Sequence, residues 1–265
     1  MNEPIGIIDS GVGGLSVASV LIKNLPEESF IYLADSKNCP YGGKSGEEIY
    51  RLTKRMVKYL LKKRIKLLVV ACNTITVTSI DKLRNDFKQI PIVGIVPVIK
   101  TAREQTKNGK IGVFSTMATA NSIYQKNLIK KFANSCKVVN IGSSDLVSLI
   151  EKEDRKKIDD ILNKELKVFK ETGVDTLVLG CSHFPLIKKQ ISRSLPYALI
   201  LDSSEAVTRQ VKRILVNNKM LSSSLNSDYN FLTTGDEEFF GKFVDKTIGK
   251  KLTNKAKLSR ISLQP

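Results

Sequence analysis

Two octapeptides constrain the fold of this chain more than anything else in it. LLVVACNT (67–74) and TLVLGCSH (176–183) are runs of β-forming residues that end in a small residue, a cysteine and a hydrogen-bonding pair. A continuous apolar run of this length suits a strand buried on both faces, as in a parallel sheet. Such sheets carry helices on both faces and place ligand chemistry at the carboxyl ends of their strands. Cys72 and Cys181 are therefore expected at strand tips, one in each half of the chain.

The remainder alternates strand and helix in the same way. IGIIDSG, FIYLAD, LLVVA and PIVGIV read as strands, with helices at LSVASVLIKNL, after Ser45, and at TVTSIDKLRNDF. Ser45 and Glu48 have the spacing of a capping box. Behind them Ile49, Leu52, Met56, Val57 and Leu60 form one apolar helical face. At Val96-Pro97 the cycle restarts. IGVFSTMAT resembles IGIIDSGVG in shape, which sets Asp9 against Ser115 and Ser10 against Thr116. Gly6 precedes Cys72 by 66 positions and Gly112 precedes Cys181 by 69. The halves thus echo each other in spacing, with little identity. KVVNIG, TLVLG and ALILD supply further strands. Helices are expected near DLVSLIEKED, over about 155–171, and at EAVTRQVKRILVNN, where Asp202 or Ser203 can cap. NFLTTGDEEFFGKFVDKTIG reads as strand, turn and helix returning to the first half.

The expected fold class is α/β. Two similar domains, each a mostly parallel sheet flanked by helices, are expected to share a cleft that holds the active site. Residues 1–97 and 206–265 are assigned to the first domain, with Cys72, and residues 98–205 to the second, with Cys181.

Composition narrows the function classes. No segment approaches the roughly 18 uninterrupted apolar residues of a membrane span, and no basic-then-hydrophobic leader precedes the first strand. A cytoplasmic location without membrane partners is the expectation. The formal charge is +17, which raises nucleic acid as a partner. The lysines, however, are spread over nearly every helix, and no compact basic motif with interleaved aromatics occurs. A solvated basic surface that draws anionic substrates is the preferred reading, with no nucleic-acid partner. The four cysteines form no C-x-x-C pair, and the single histidine, His183, rules out a multi-histidine metal site.

The matched cysteines carry the chemical argument. Most free cysteines are small buried hydrophobes, but polar Asn73, Thr74, Ser182 and His183 beside them would be awkward inside a core. A thiol with an ordinary pKa of about 8.5 can be poised in either protonation state near neutral pH. Two thiols facing one cleft can take a proton from one side of a carbon and return it to the other. Asp9-Ser10-Gly11-Val12-Gly13-Gly14 follows the first strand, but Ser16 breaks the G-x-G-x-x-G pattern. That loop is expected to bind a small anion such as a carboxylate, and Asp9 a substrate ammonium. Pro40-Tyr41-Gly42 reads as ordinary turn chemistry, and Cys39 and Cys136 as incidental. His183, ahead of Pro185, suits tuning a thiol or donating to a carboxylate. A cysteine hydrolase would take its histidine from elsewhere in the fold, so the nearness of Cys181 to His183 does not argue for one. A non-catalytic two-domain binding protein remains an alternative at this stage.

DSGVGG (9–14), PYG (40–42), ACNT (71–74) and GCSHFP (180–185), in that order, resemble the glutamate racemases over essentially the whole chain. The resemblance implies two α/β domains enclosing glutamate, no metal or other cofactor, and a product used in bacterial peptidoglycan. It implies that Cys72 and Cys181 are the two proton carriers, Cys72 acting on the D-isomer and Cys181 on the L-isomer. By the same carry-over Asp9, Ser10, Tyr41, Gly42, Asn73, Thr74, Ser182 and His183 bind substrate or tune the thiols, with Thr116 and Thr119 helping from the second domain. Departures are Ser182 and Phe184, where the family usually has Thr and Tyr. A family glutamate near the cleft is matched only loosely by Glu151, because the preceding IGSSDLVSLI departs from the usual pattern. His183 favours glutamate over aspartate as substrate. The oligomeric state is left open, a homodimer being compatible.

Overall fold

The computed structural model describes residues 3–223, 226–253 and 256–264. Ten strands follow in chain order. They are β1 (Ile5–Asp9), β2 (Phe30–Ala34), β3 (Leu67–Val70), β4 (Ile92–Gly94) and β5 (Lys110–Thr116), then β6 (Lys137–Ser143), β7 (Thr176–Gly180), β8 (Leu199–Leu201), β9 (Tyr229–Thr233) and β10 (Lys257–Arg260). One sheet has the order β10-β9-β2-β1-β3-β4 and the other β6-β5-β7-β8. Every pairing is parallel.

The spacing echo is also a topological one. The order β2-β1-β3-β4 recurs as β6-β5-β7-β8. In each half the chain reverses its direction of winding beside the first strand, which opens a crevice at the carboxyl ends. Cys72 follows β3 and Cys181 follows β7, the strands next to β1 and β5. Both cysteines thus stand at the crevice of their own sheet.

Period-two alternation sends neighbouring side chains to opposite faces. Ile5, Ile7, Leu67 and Val69 belong to one core of the first sheet, and Ile8, Leu68 and Val70 to the other. Phe114, Leu177 and Leu179 face one core of the second sheet, and Ile111, Val113 and Val178 the other. Helix Gly46–Lys62 starts as expected, with Ser45 Oγ accepting from Glu48 N–H at 3.2 Å. It buries Ile49, Leu52, Met56, Val57 and Leu60. Its outer face presents Arg51, Lys54, Arg55, Lys58 and Lys62 to an open groove, so part of the basic excess is concentrated along one helix. Among the described residues no helix is long and apolar enough to cross a membrane.

One local expectation is corrected and another is resolved between its two alternatives. The single helix over 155–171 is two, Arg155–Glu165 and Lys167–Thr172. At Leu166 the chain tightens to an i→i−3 bond from Phe169 N–H (3.1 Å). Both Leu166 and Phe169 are then fully buried, Phe169 edge-on to Phe114. At the start of helix Ser204–Asn217 it is Asp202 that accepts, from Ser204 N–H at 3.1 Å. Ser203 Oγ instead donates to the Val96 carbonyl at 2.7 Å.

The last segment pairs β9 with β2, alongside residues that lie some 200 positions earlier. A buried ion pair anchors that return. Lys66 Nζ lies 2.6 Å from Glu28 and donates to the Met220 carbonyl at 2.7 Å. Glu28 also accepts from Ser222 N–H at 2.8 Å. Removing one partner of a buried pair leaves an uncompensated charge. Glu28→Gln is predicted to lower stability by about 3–5 kcal/mol in urea unfolding. The double change Glu28→Leu with Lys66→Met is predicted to cost much less. Equal losses in the two variants would show that the pair is not what anchors the return.

Candidate active site

Tips from both sheets meet over one cavity of about 200 Å³. That is below the 300–1,000 Å³ of drug-sized sites and suits a small molecule. Cys72 and Cys181, each 4% exposed, both line it. Cys72 is the N-cap of helix Asn73–Asp86, with extended backbone (φ −97°, ψ 122°). Its Sγ is 3.6 Å from Ser10 Oγ. Cys181 directly follows β7, and its carbonyl accepts from Phe184 N–H at 3.2 Å, starting the single turn Phe184–Ile187.

Of the residues singled out in the sequence, Ser10, Tyr41, Gly42, Asn73, Thr74 and Thr116 line the same cavity. So do Ser182 and His183. Asp9 and Thr119 lie one layer behind. Asp9 is fully buried and accepts from Gly11 N–H (2.8 Å) and Ser182 Oγ (2.9 Å). Thr116 Oγ1 donates to Thr119 Oγ1 (3.0 Å) and shares a hydrogen bond with Thr74 Oγ1 (3.1 Å). The Asp9–Ser182 and Thr74–Thr116 contacts each join a tip of one sheet to a tip of the other. Ser143, Ser144 and Val147 also line the cavity. They lie in the stretch that departs from the family pattern, so no motif marked them.

Asn73 differs from its neighbours. It is 1% exposed and lines the cavity, yet neither atom of its side-chain amide has a partner among the described residues. An orphaned buried amide is costly unless a ligand satisfies it. Asn73 lines the cavity, and an amide carries the donors and the acceptor that an amino acid's carboxylate and ammonium need.

The loops differ in detail from their reading in the sequence. None of the glycines of DSGVGG reaches the cavity lining; of that run only Ser10 does. A Cβ on Gly11 would lie 2.0 Å from Glu151 Oε1, and one on Gly13 2.4 Å from His183 Nδ1. The loop is glycine-rich because its backbone packs against those side chains. Its amide does bind a carboxylate, but the protein's own: Val12 N–H donates to Glu151 Oε1 at 2.9 Å. Tyr41 is more than turn chemistry. It is 1% exposed, and its hydroxyl donates to Asp35 at 2.5 Å. Cys39 is not incidental to the neighbourhood, since its Sγ lies 3.6 Å from Glu151 Oε1. Glu151, loosely matched in the sequence, accepts from His183 Nε2 at 2.7 Å and stands outside the cavity lining.

A sequence profile described as Asp/Glu/Hydantoin racemase matches residues 5–211. The chain belongs to that racemase family. A glutamate racemase of Clostridium acetobutylicum is 43% identical over 216 residues, covering 81% of this chain and 84% of the relative. The crystal structure of a glutamate racemase isoform from Bacillus anthracis superposes with a TM-score of 0.88 at 32% identity, covering 98% of both chains. That of the Francisella tularensis glutamate racemase in complex with D-glutamate gives 0.84 at 28% identity, covering 100% of this chain and 98% of the other.

Charge in this racemase site is set by burial and by a few partners. Burial pushes the Cys72 thiol up to about 12, and the Asp9 charge adds to it, against the Ile75 N–H and Ser10 hydroxyl. Burial also raises the Asp9 carboxyl, opposed by His183, Gly11 N–H and Ser182. For His183 burial disfavours the cation, but Cys181, Cys39 and Glu151 outweigh it and hold the imidazole well above its ordinary value. Burial likewise opposes the Glu151 carboxylate, yet His183 and Val12 N–H hold it below the ordinary range. The two shifts have opposite pH signatures. The His183 contribution to stability is complete below the unfolded imidazole pKa of about 6.5 and fades as pH rises through the raised value. The Glu151 contribution is present above about 4.5 and fades on acidification.

Because His183 is the only histidine, its imidazole gives one unambiguous NMR signal. It is predicted to remain protonated above neutral pH, and Glu151→Gln to move its titration midpoint down. A midpoint that Glu151→Gln leaves in place would show that Glu151 does not hold the charge.

Proposed function

We infer that this racemase interconverts L- and D-glutamate without a cofactor, using Cys72 and Cys181 as two proton carriers. The observation that carries the reading is the pair of cysteines on one small cavity. They come from matched strands of two sheets with the same strand order. The substrate follows the relatives, which are named glutamate racemases, and the solved relative in complex with D-glutamate. The division of the chain into 1–97 with 206–265 and 98–205 is part of the same proposal, with the cavity between the two units. So is supply of D-glutamate for peptidoglycan in the cytoplasm.

The chemistry runs as follows. Cys181, as thiolate, removes the Cα proton of L-glutamate and becomes a thiol. The electron pair remains on Cα as a carbanion. Cys72, as thiol, gives its proton to the opposite face and becomes a thiolate, yielding D-glutamate. A Cys72 thiol raised to about 12 suits the donor role. The reverse reaction starts with Cys72 as thiolate and Cys181 as thiol. His183 stands beside Cys181 as an imidazolium, an electrostatic support for the thiolate. The Asn73 amide satisfies the α-carboxylate and ammonium. Asp9 acts through Ser182 and through its effect on Cys72.

Purified protein is predicted to convert either pure enantiomer of glutamate to the racemate, followed by optical rotation, and to act far more slowly on aspartate. Cys72→Ser and Cys181→Ser should each lower turnover by about 10²–10⁴-fold, the usual worth of a positioned acid–base group. Full activity in either variant would sink the two-carrier mechanism. Asn73→Ala is predicted to raise KM for glutamate, and an unchanged KM would remove Asn73 from the substrate contacts.

A further inference from the structure

Cys39 and Glu151, which take no part in the proton transfers, form a group with His183. One ligand-type atom from each lies within 4.8 Å of the other two. They come from the loop after β2, from helix Leu146–Glu151 and from the tip after β7. The donors are a thiol sulfur, a carboxylate oxygen and an imidazole nitrogen, the set that tetrahedral zinc takes. Three protein ligands leave a fourth position for water.

The distances fit that use. With Zn–S of about 2.3 Å and Zn–N and Zn–O of about 2.0–2.1 Å, a tetrahedral ion sets S···O near 3.5 Å and N···O near 3.3 Å. Cys39 Sγ to Glu151 Oε1 is already 3.6 Å. His183 Nε2 to Glu151 Oε1 is 2.7 Å, so that pair opens by roughly half an ångström as the ion replaces the proton between them. The space beside the group is kept clear by Gly11. A Cβ there would lie 2.0 Å from Glu151 Oε1 and 3.0 Å from Cys39 Sγ. Cys39 and Glu151 are partly exposed whereas His183 is buried. An ion can therefore arrive from the solvent side without passing through the cavity, whose lining contains neither residue.

We propose that Cys39, Glu151 and His183 form an inhibitory site for zinc or a similar thiophilic divalent cation. On binding, Cys39 gives up its thiol proton and His183 its imidazolium proton to solvent, and His183 changes from an electrostatic support of the Cys181 thiolate into a metal ligand. Binding is independent of the racemase reading, whereas the inhibition rests on it. The two can be tested apart.

The test uses the full chain, freed of metal with a chelator and titrated with Co²⁺ as a spectroscopic stand-in. One equivalent is expected to give a thiolate-to-cobalt charge-transfer band and tetrahedral d–d bands, both displaced by Zn²⁺. Cys39→Ser should lose the charge-transfer band. Measured against its own metal-free rate, it should need about 10–100-fold more Zn²⁺ for half inhibition. Cys39→Ala is expected to behave alike, which guards against serine ligation. The proposal is overturned if the wild-type chain gives no band. It is also overturned if the band survives Cys39→Ser and vanishes instead in Cys72→Ser or Cys181→Ser, or if zinc inhibits Cys39→Ser and wild type equally. Absence of racemisation in metal-free wild type would refute the functional reading and leave the absorbance result standing.

Discussion

One carboxylate oxygen, Glu151 Oε1, holds the tips of the two sheets in place. It accepts from the Val12 amide of the first sheet's leading loop, from His183 after β7, and from Cys39 after β2. Among the described residues Asp9, Glu28 and Asp35 are buried more deeply, and most of the ion pairs lie at the surface, such as Lys167–Glu171, of the kind that contributes little. The Glu151 contacts are different because they converge on one oxygen and the His183 partner is buried. Losing the partner of a buried charge costs several kcal/mol, so the pair selects one arrangement of four chain segments. Asp9–Ser182 and Thr74–Thr116 add two further ties across the same seam.

On the proposed mechanism, the seam is what lets two buried cysteines act on one substrate. Each ends a fully buried strand, and each cavity wall comes from a different sheet. Burial raises the Cys72 thiol. A cationic His183 on the Cys181 side and an anionic Asp9 on the Cys72 side make the two environments unequal. Unequal environments are what a pair of proton carriers needs, because one must begin charged and the other neutral. A small, largely enclosed cavity also limits access of water to a carbanion.

Much of this was legible in the sequence, because buried parallel strands have an unmistakable composition. LLVVA and TLVLG announced both strands, and the cysteines after them announced the site. Ser45 announced its helix by a local rule. What escaped were features set by tertiary contact. Glu151 and Cys39 have no motif of their own; only the fold brings them to His183. The glycines of DSGVGG looked like a ligand cradle because close approach to a ligand and to a protein side chain demand the same missing Cβ. Leu166 interrupts a helix whose local pattern is continuous, since burying Phe169 against Phe114 outweighs one turn of helical bonding. Asn73 was legible as a site residue, but its orphaned amide was visible only once burial was known.

The central claim is that two separate groups handle the proton on opposite faces of Cα. Isotope placement during the first few per cent of conversion tests it most directly. With L-glutamate in D2O, the D-glutamate formed should carry deuterium at Cα while the remaining L-glutamate keeps its original hydrogen. Deuterium entering the unreacted L-glutamate as fast as product appears would mean that a single group serves both faces, and would contradict the account.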